Sequence, residues 1–259
     1  MKKLKPAELS VFLEEKFILY NNLKFIETDP VSIPHLFSKK EDIEIAGFLT
    51  ATIAWGQRPT ILRNARQLMI WMDDDPHNFI LTFKENDLKP FRKFVHRTFH
   101  SDDCIFFLKS LQNIYCNHNG LSAIFLSTLP KHNPDVSNNI SNARELFFRP
   151  PHLRRTEKHF SDPASGSAAK RLNMFLRWMV RSDKTGVDFG IWKNIRTSQL
   201  ICPLDVHSGR VARKLGLLDR KQNDWKAAIE LTESLKQFDP DDPVKYDFAL
   251  FGLGVFEKF

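Results

Sequence analysis

The sequence predicts an all-α fold. Apolar residues recur every three to four positions along most of the 259 residues, which is the spacing of one face of a helix. No segment alternates apolar and polar residues as a half-buried strand does, and no two-residue turn joins two such runs. A hydrophobic content of 42% is ample for a core. We therefore expect a single module of packed helices.

Three helices are predicted before residue 76. The first is Pro6–Tyr20, with its apolar residues mostly on one side. The second spans 41–55 and is apolar nearly all round, so we expect it in the centre of a bundle. Pro59 suits the first turn of the third, which ends before the Asp-Asp-Asp-Pro sequence at 73–76.

Two further helices precede the longest irregular stretch. Asp102 or Asp103 can cap one of them, the other spans about 137–148, and 130–134 is a loop between them. The polar, proline-containing run over 149–163 is the expected hinge. It divides the module into lobes of roughly 1–149 and 150–259.

The last part of the chain predicts four helices. One begins near Lys170, and Val206–Leu215 is the next, with Asp205 at its N-cap and Gly216 just past its end. A third helix follows Asn223 or Asp224, and the last begins at the Asp-Asp-Pro sequence at 241–243.

Basic residues are concentrated in one segment. Residues 149–221 contain 16 Lys or Arg and 6 Asp or Glu, whereas the whole chain has a net charge of +7. The rest of the chain is therefore net acidic. Such a segment suits a phosphate backbone, and it equally suits an acidic partner protein.

Composition argues against several other classes of protein. Three widely spaced cysteines, Cys104, Cys116 and Cys202, favour neither a disulfide framework nor a metal site nor an iron–sulfur cluster. No apolar run is long enough to cross a bilayer, and the start of the chain lacks the apolar core of a signal peptide. We expect a cytoplasmic protein that does not contact a membrane.

Two short segments carry the candidate chemistry. Residues 166–170, Gly-Ser-Ala-Ala-Lys, form a small-residue turn that sets a lysine at the start of a helix. Residues 205–210, Asp-Val-His-Ser-Gly-Arg, place a carboxylate, an imidazole and a guanidinium at a DxHxxR spacing where another helix begins. A carboxylate fixed by helix amides stays ionised and can stabilise a developing positive charge, so Asp205 is suited both to capping and to catalysis.

Together the two segments resemble the helix-hairpin-helix superfamily of DNA glycosylases. In that family a GxGxK turn presents a nucleophilic lysine, and a DxHxxR segment downstream supplies the catalytic aspartate. Ala168 stands where the second glycine is usual. The two motifs are separated by a long inserted segment, residues 182–204, and in this the chain is similar to the archaeal 8-oxoguanine glycosylase branch. The stretch 170–254 also resembles an uncharacterised bacterial family. The resemblance implies a two-lobed, all-α helix-hairpin-helix DNA glycosylase fold.

The same resemblance implies a DNA repair enzyme, a glycosylase with AP-lyase activity. Lys170 is the expected nucleophile that forms a Schiff base with the sugar, and Asp205 is the expected electrostatic partner. The favoured substrate is an oxidised purine, 8-oxoguanine first, in double-stranded DNA. The implied protein is a monomer that requires no cofactor and holds no metal, although a monovalent cation bound by the hairpin is compatible with the resemblance.

Further residues are expected to contact the DNA. Lys170, Met174, Arg177 and Arg181 share one face of their helix, which we expect to be exposed. The full set of expected DNA-binding residues is Gly166, Ser167, Ala168, Ala169, Arg171, Arg177, Arg181, His207 and Arg210.

The base pocket is expected at the end of the second predicted helix. Trp55 could stack on a flipped base, Gln57 could hydrogen-bond its edge, and Arg58 lies beside them. The alternative is that Trp55 belongs to the core and Gln57 is a polar turn residue.

Two other functions remain open at this point. One is a non-catalytic DNA-binding module of the same fold, in which Lys170 supplies only charge. The other is a helical protein-interaction domain whose basic face meets an acidic partner. A covalent adduct trapped by borohydride separates the enzyme from the first, and steeply salt-dependent duplex binding disfavours the second.

Overall fold

The computed structural model describes residues 4–126 and 135–259, and these residues form an all-α protein. Their twelve α-helices are α1 (Pro6–Tyr20), α2 (Leu23–Thr28), α3 (Lys40–Thr52), α4 (Arg58–Trp71), α5 (Pro76–Thr82), α6 (Ser101–Asn117), α7 (Gly120–Leu126), α8 (Ser137–Phe147), α9 (Lys170–Val180), α10 (Val206–Leu215), α11 (Trp225–Lys236) and α12 (Tyr246–Val255). Short 3-10 turns join several of them. Over the same residues there is no β-strand, only two isolated bridges. The predicted fold class is confirmed.

Every helix predicted within the described residues is present, with ends that differ by a few positions. The limits of α1 and α10 are those predicted, because both carry clear end signals such as the proline at the start of α1. The short helices α2, α5 and α7 were not predicted, since six or seven residues carry too little periodicity. The predicted loop at 130–134 lies outside the described residues.

The chain divides into two compact units. One contains residues 4–25, 135–137 and 162–259, and we call it the terminal unit because it includes both ends of the described chain. The other contains residues 26–126 and 138–161, and we call it the central unit.

In the terminal unit, α12 packs against α1 and α10. The helices α1 and α12 approach so closely at Gly252 that a Cβ there would overlap the ring of Tyr20. Tyr20 also donates a hydrogen bond to Glu257, which lies 237 positions away in the chain. The largest side chains in this core, Trp178 and Trp192, are fully buried.

In the central unit, α3 contacts α4, α5 and α7, and it is buried from Asp42 to Thr52. This confirms that an all-round apolar helix occupies a central position. Phe48 of α3 packs against Phe107, Phe147 and Phe160, with ring centroids 5.4 to 6.0 Å apart.

Within residues 4–126 and 135–259, no helix is both long and apolar enough to cross a membrane.

Candidate active site

The turn that carries Lys170 is built from local backbone signals. A 3-10 turn at Pro163–Ser165 is capped by Asp162, whose carboxylate accepts a hydrogen bond from the amide of Ala164 at 3.0 Å. Gly166 ends that turn in the left-handed region, with φ of +85°. Ala169 also has a positive φ, +45°, immediately before α9 begins at Lys170. The left-handed conformations of Gly166 and Ala169 change the direction of the chain, so that Lys170 is the first residue of α9.

A second contact anchors this turn within the terminal unit. The carbonyl of Gly166 accepts a hydrogen bond from the amide of Trp225 at 2.9 Å, and Ser167 forms an isolated bridge with Asp224. Asp224 caps α11 by accepting a hydrogen bond from the amide of Ala227. The position of Lys170 is therefore tied to the start of another helix.

Asp205 is held in place by the start of α10. Its Oδ1 atom accepts hydrogen bonds from the amides of His207 and Ser208, at 2.8 and 2.9 Å. The Ser208 hydroxyl accepts one in return from the amide of Asp205 at 2.9 Å. Gly216 ends the helix with φ of +75°. Both predicted caps are confirmed, and the aspartate is fixed by its own helix.

The fold brings Lys170 and Asp205 together. The Lys170 Nζ atom lies 3.7 Å from Asp205 Oδ2, and the two side chains are 28% and 26% exposed. Burial raises the pKa of Asp205, but the Lys170 ammonium and the amides of Ser208 and His207 outweigh burial and leave that pKa below its ordinary value. Asp205 therefore stays ionised at neutral pH. The result is an amine and a carboxylate side by side and reachable from solvent.

A second carboxylate interacts electrostatically with this pair, and the sequence did not indicate it. Asp247 of α12 is buried and accepts a hydrogen bond from Arg177. Burial raises its pKa to about 6, although Arg177 and Lys170 act in the opposite direction. The charge of Asp205 raises the pKa of Asp247 further, so the charges of both Lys170 and Asp205 act on Asp247. The one sequence signal that could have indicated Asp247 is that it is a lone acidic residue within the apolar sequence of α12.

The prediction of an exposed face with Met174, Arg177 and Arg181 is wrong. Arg177 and Arg181 are only 3% and 1% exposed, and Met174 is buried too. We therefore withdraw the DNA contacts assigned to the two arginines. The helix α9 is buried on nearly every side, so helical spacing alone could not show which face meets water.

Carboxylates that are buried or half-buried pair with both of these arginines. Arg177 bonds to Asp188 and Asp247, and Arg181 bonds to Asp183, Asp188 and Asp242. Such a network fixes the inner side of the helix whose first residue is Lys170, because removing one partner would leave a charge buried and unpaired.

The other predicted DNA-binding residues differ in exposure. Gly166, His207 and Arg210 are exposed, Ser167 and Arg171 are half-buried, and Ala168 and Ala169 are buried. Arg210 donates a hydrogen bond to the carbonyl of Gly254 at 3.2 Å. Removal from water lowers the pKa of Arg171 to about 10, so it is still cationic at neutral pH. The exposed members of this set belong to the turn before Lys170 and to α10.

The predicted base-pocket residues belong to the central unit. Trp55 is half-buried, with its ring against His96 and His159 at centroid distances of 4.9 and 5.9 Å. Gln57 is exposed, and Arg58 begins α4. Their role as a base pocket stays a prediction.

The described residues offer no set of three or more His, Cys, Asp or Glu arranged to hold a metal ion. Cys104 and Cys202 are buried free thiols, and Cys116 is an exposed one.

Comparison with known families gives one match. The model of a family described as a protein of unknown function, DUF2400, matches residues 29–256, and the chain belongs to that family. No curated protein and no solved structure matches the chain. The prediction of membership in the helix-hairpin-helix DNA glycosylase superfamily is wrong, because DUF2400 is a distinct family. The two-lobed glycosylase fold implied by that resemblance is not confirmed.

Proposed function

We propose that this protein is a DNA glycosylase with AP-lyase activity that uses Lys170 as its nucleophile. The observation that carries the proposal is the contact between Lys170 and Asp205, both of them part-exposed and each fixed at the start of a helix. A lysine amine and a carboxylate that is ionised at neutral pH are the two groups that this reaction needs.

The reaction balances with these two groups and water. The neutral amine of Lys170 attacks C1′ of the damaged nucleotide, a C–N bond forms, and the bond from C1′ to the base breaks with its electron pair leaving on the base. The departing base takes up the proton that the attached amine releases. The sugar ring then opens to a protonated Schiff base as O4′ takes up a proton from water, and transfer of a C2′ proton to water breaks the C3′–O bond, whose electron pair leaves with the 3′ phosphate. Asp205 stabilises the positive charge that develops on the sugar.

Lys170 must lose a proton before it can attack. An ordinary lysine has a pKa of about 10.4 and is almost wholly protonated at neutral pH. Of the two carboxylates that interact electrostatically with it, Asp205 has a lowered pKa and Asp247 has a pKa of about 6. The Lys170 side chain is 28% exposed, so we assign the acceptance of this proton to water.

The partner in this proposal is double-stranded DNA with a damaged base, and the substrate class is an oxidised purine, with 8-oxoguanine first. The damaged nucleotide has to leave the duplex to reach C1′. The exposed residues before Lys170 and on α10, including Arg210 and His207, are the groups that we assign to phosphate contacts. The proposed enzyme acts as a cytoplasmic monomer without a required cofactor.

The test is borohydride trapping on a duplex that contains 8-oxoguanine. Wild-type protein is expected to form a covalent adduct that migrates slowly on a denaturing gel, and Lys170→Met is expected to form none. Asp205→Asn should slow trapping by about 10²–10³-fold, which is typical for loss of one electrostatic contact in a transition state. Lys184→Met, which removes another exposed lysine of the terminal unit, is the matched control and should behave as wild type.

Two results would count against the proposal. If wild type forms no adduct with any duplex in a panel of oxidised, alkylated and deaminated bases, the enzyme assignment fails. Salt-dependent duplex binding without an adduct would then indicate a binding module. If Lys170→Met still forms the adduct, another lysine is the nucleophile.

A further inference from the structure

A groove in the central unit lies where the end of α4 meets the 3-10 turn Pro90–Lys93. Its volume is about 390 Å³, and its walls are Trp71, Lys89, Pro90 and Lys93. Sites for small ligands commonly span about 300–1,000 Å³, so the groove has the size of such a site. None of these four residues belongs to the Lys170–Asp205 site.

The aromatic wall of the groove is held by its neighbours. The half-buried ring of Trp71 makes near-perpendicular contacts with Phe91 and Phe94, at centroid distances of 5.4 and 6.2 Å. Both phenylalanines are buried, at 0% and 3% exposure. Edge-to-face contacts of this kind favour one ring orientation. Trp71 is therefore a fixed flat surface in the groove wall.

The cationic wall consists of Lys89 and Lys93, which are both exposed. Neither ammonium forms an ion pair with any residue that the structure describes, whereas neighbouring cations do. Arg92 and Lys109, for example, both pair with Glu85, at 3.1 and 2.9 Å. Both groove lysines are therefore available to a ligand.

We propose that this groove binds unpaired nucleotides of a single nucleic-acid strand. A base stacks on Trp71, and the phosphates on either side of it are neutralised by Lys89 and Lys93. Aromatic rings beside cations are the usual means by which proteins hold single strands, because every base has a flat face and every linkage has a charge. An acidic peptide would pair with the two lysines, but its carboxylates would gain nothing from stacking on the indole ring of Trp71.

The test measures the fluorescence anisotropy of a labelled oligothymidylate with the full chain. Trp71→Ala should weaken binding about tenfold or more, since stacking of one base accounts for that much, and Trp71→Phe should retain most of the affinity. Replacing Lys89 and Lys93 together by Gln should reduce the slope of log K against log salt by about 1.4, or roughly 0.7 for each lost phosphate contact.

The matched control removes the same charge elsewhere. Lys5 and Lys24 are exposed residues of the terminal unit that form no ion pair with any described residue. Changing both to Gln should leave the affinity and the salt slope near wild type. Far-UV circular dichroism shows whether each variant is folded. If Trp71→Ala does not fold, the variant with Lys89 and Lys93 replaced by Gln decides the test.

Several outcomes would overturn the proposal. One is that folded Trp71→Ala binds the oligonucleotide as tightly as wild type. Another is that replacing Lys89 and Lys93 weakens oligonucleotide binding no more than replacing Lys5 and Lys24. Competition by polyglutamate as effective as that by unlabelled oligonucleotide would indicate an acidic protein partner instead. Saturation by thymidine monophosphate without binding of the oligonucleotide would indicate free nucleotides. Lys170→Met should bind the oligonucleotide normally while forming no borohydride adduct, so the two proposals fail separately.

Discussion

The substitution of Asp205 separates its capping role from its proposed catalytic role. Asp205→Ala removes the acceptor of two amide hydrogen bonds at 2.8 and 2.9 Å. Loss of such a cap costs about 0.5–2 kcal/mol. It also removes the partner of Lys170 at 3.7 Å, and a part-exposed ion pair adds about 0–1 kcal/mol. We therefore expect Asp205→Ala to lower the free energy of unfolding by about 0.5–3 kcal/mol.

Asp205→Asn should behave differently. The amide oxygen of asparagine can still accept from the amides of His207 and Ser208, and asparagine is as good an N-cap as aspartate. Only the charge is lost, so the free energy of unfolding should fall by less than about 1 kcal/mol. Catalysis, if the proposed function holds, should nevertheless fall by about 10²–10³-fold.

The measurement is urea unfolding followed by far-UV circular dichroism at 222 nm, with Asp219→Asn as the control at an exposed aspartate outside the site. Because the folded pKa of Asp205 is lowered, its charge stabilises the folded state above the ordinary value of 3.8. That stability is lost as the pH falls through the folded pKa, so wild type and Asp205→Asn should converge in acid. Equal destabilisation by Asn and Ala at neutral pH would refute the capping argument.

Three other changes test the terminal unit. Gly252→Ala should destabilise this unit by about 1–3 kcal/mol, because the added methyl would overlap the ring of Tyr20. The loss should lower the midpoint of urea unfolding, and an unchanged midpoint would contradict the close packing of α1 and α12. Ala169→Gly should change thermal stability by no more than about 1 kcal/mol, because relief of the φ of +45° offsets the loss of a buried methyl and the greater freedom of the unfolded chain; a loss of more than about 2 kcal/mol would show that the left-handed conformation is not strained. Asp247 has a folded pKa raised from 3.8 to about 6, so its own contribution to the free energy of unfolding should fall as the pH rises across that window. Asp247→Asn, which leaves Arg177 paired with Asp188, should remove this contribution, so the difference between variant and wild type should change with pH in urea titrations; a difference that is constant from about pH 4 to 7 would contradict the raised pKa.

Local signals in the sequence were sufficient for the longer helices and for half of the site. The cap at Asp205 and the turn before Lys170 depend on residues within five positions of each other, and both are present as predicted. The contact between the lysine and the aspartate could not be derived from local signals, since 35 positions separate them and no periodicity spans that distance. It was expected only from the resemblance of the two motifs to the glycosylases, and the structure places the two groups together.

The remaining features depend on contacts that are distant in the chain. Helical spacing predicted an exposed face with Arg177 and Arg181, but Arg181 lies just past the end of α9 and the carboxylates that pair with the two arginines come from as far as 70 positions away. Asp247 is one of those carboxylates, and it became part of the site only because α12 carries it there. The short motifs pointed to a superfamily to which the chain does not belong, because a few residues at fixed spacing are compatible with more than one family.

The packing of α1 on α12 has a consequence for how the protein is made. Tyr20 leaves the ribosome long before Glu257, since 237 positions separate them. Throughout that interval the apolar side of α1 is without its native partner, and α12 is the helix that finally covers it. A nascent chain stalled before α12 should therefore be a target for chaperones and proteases, even when the central unit has already folded.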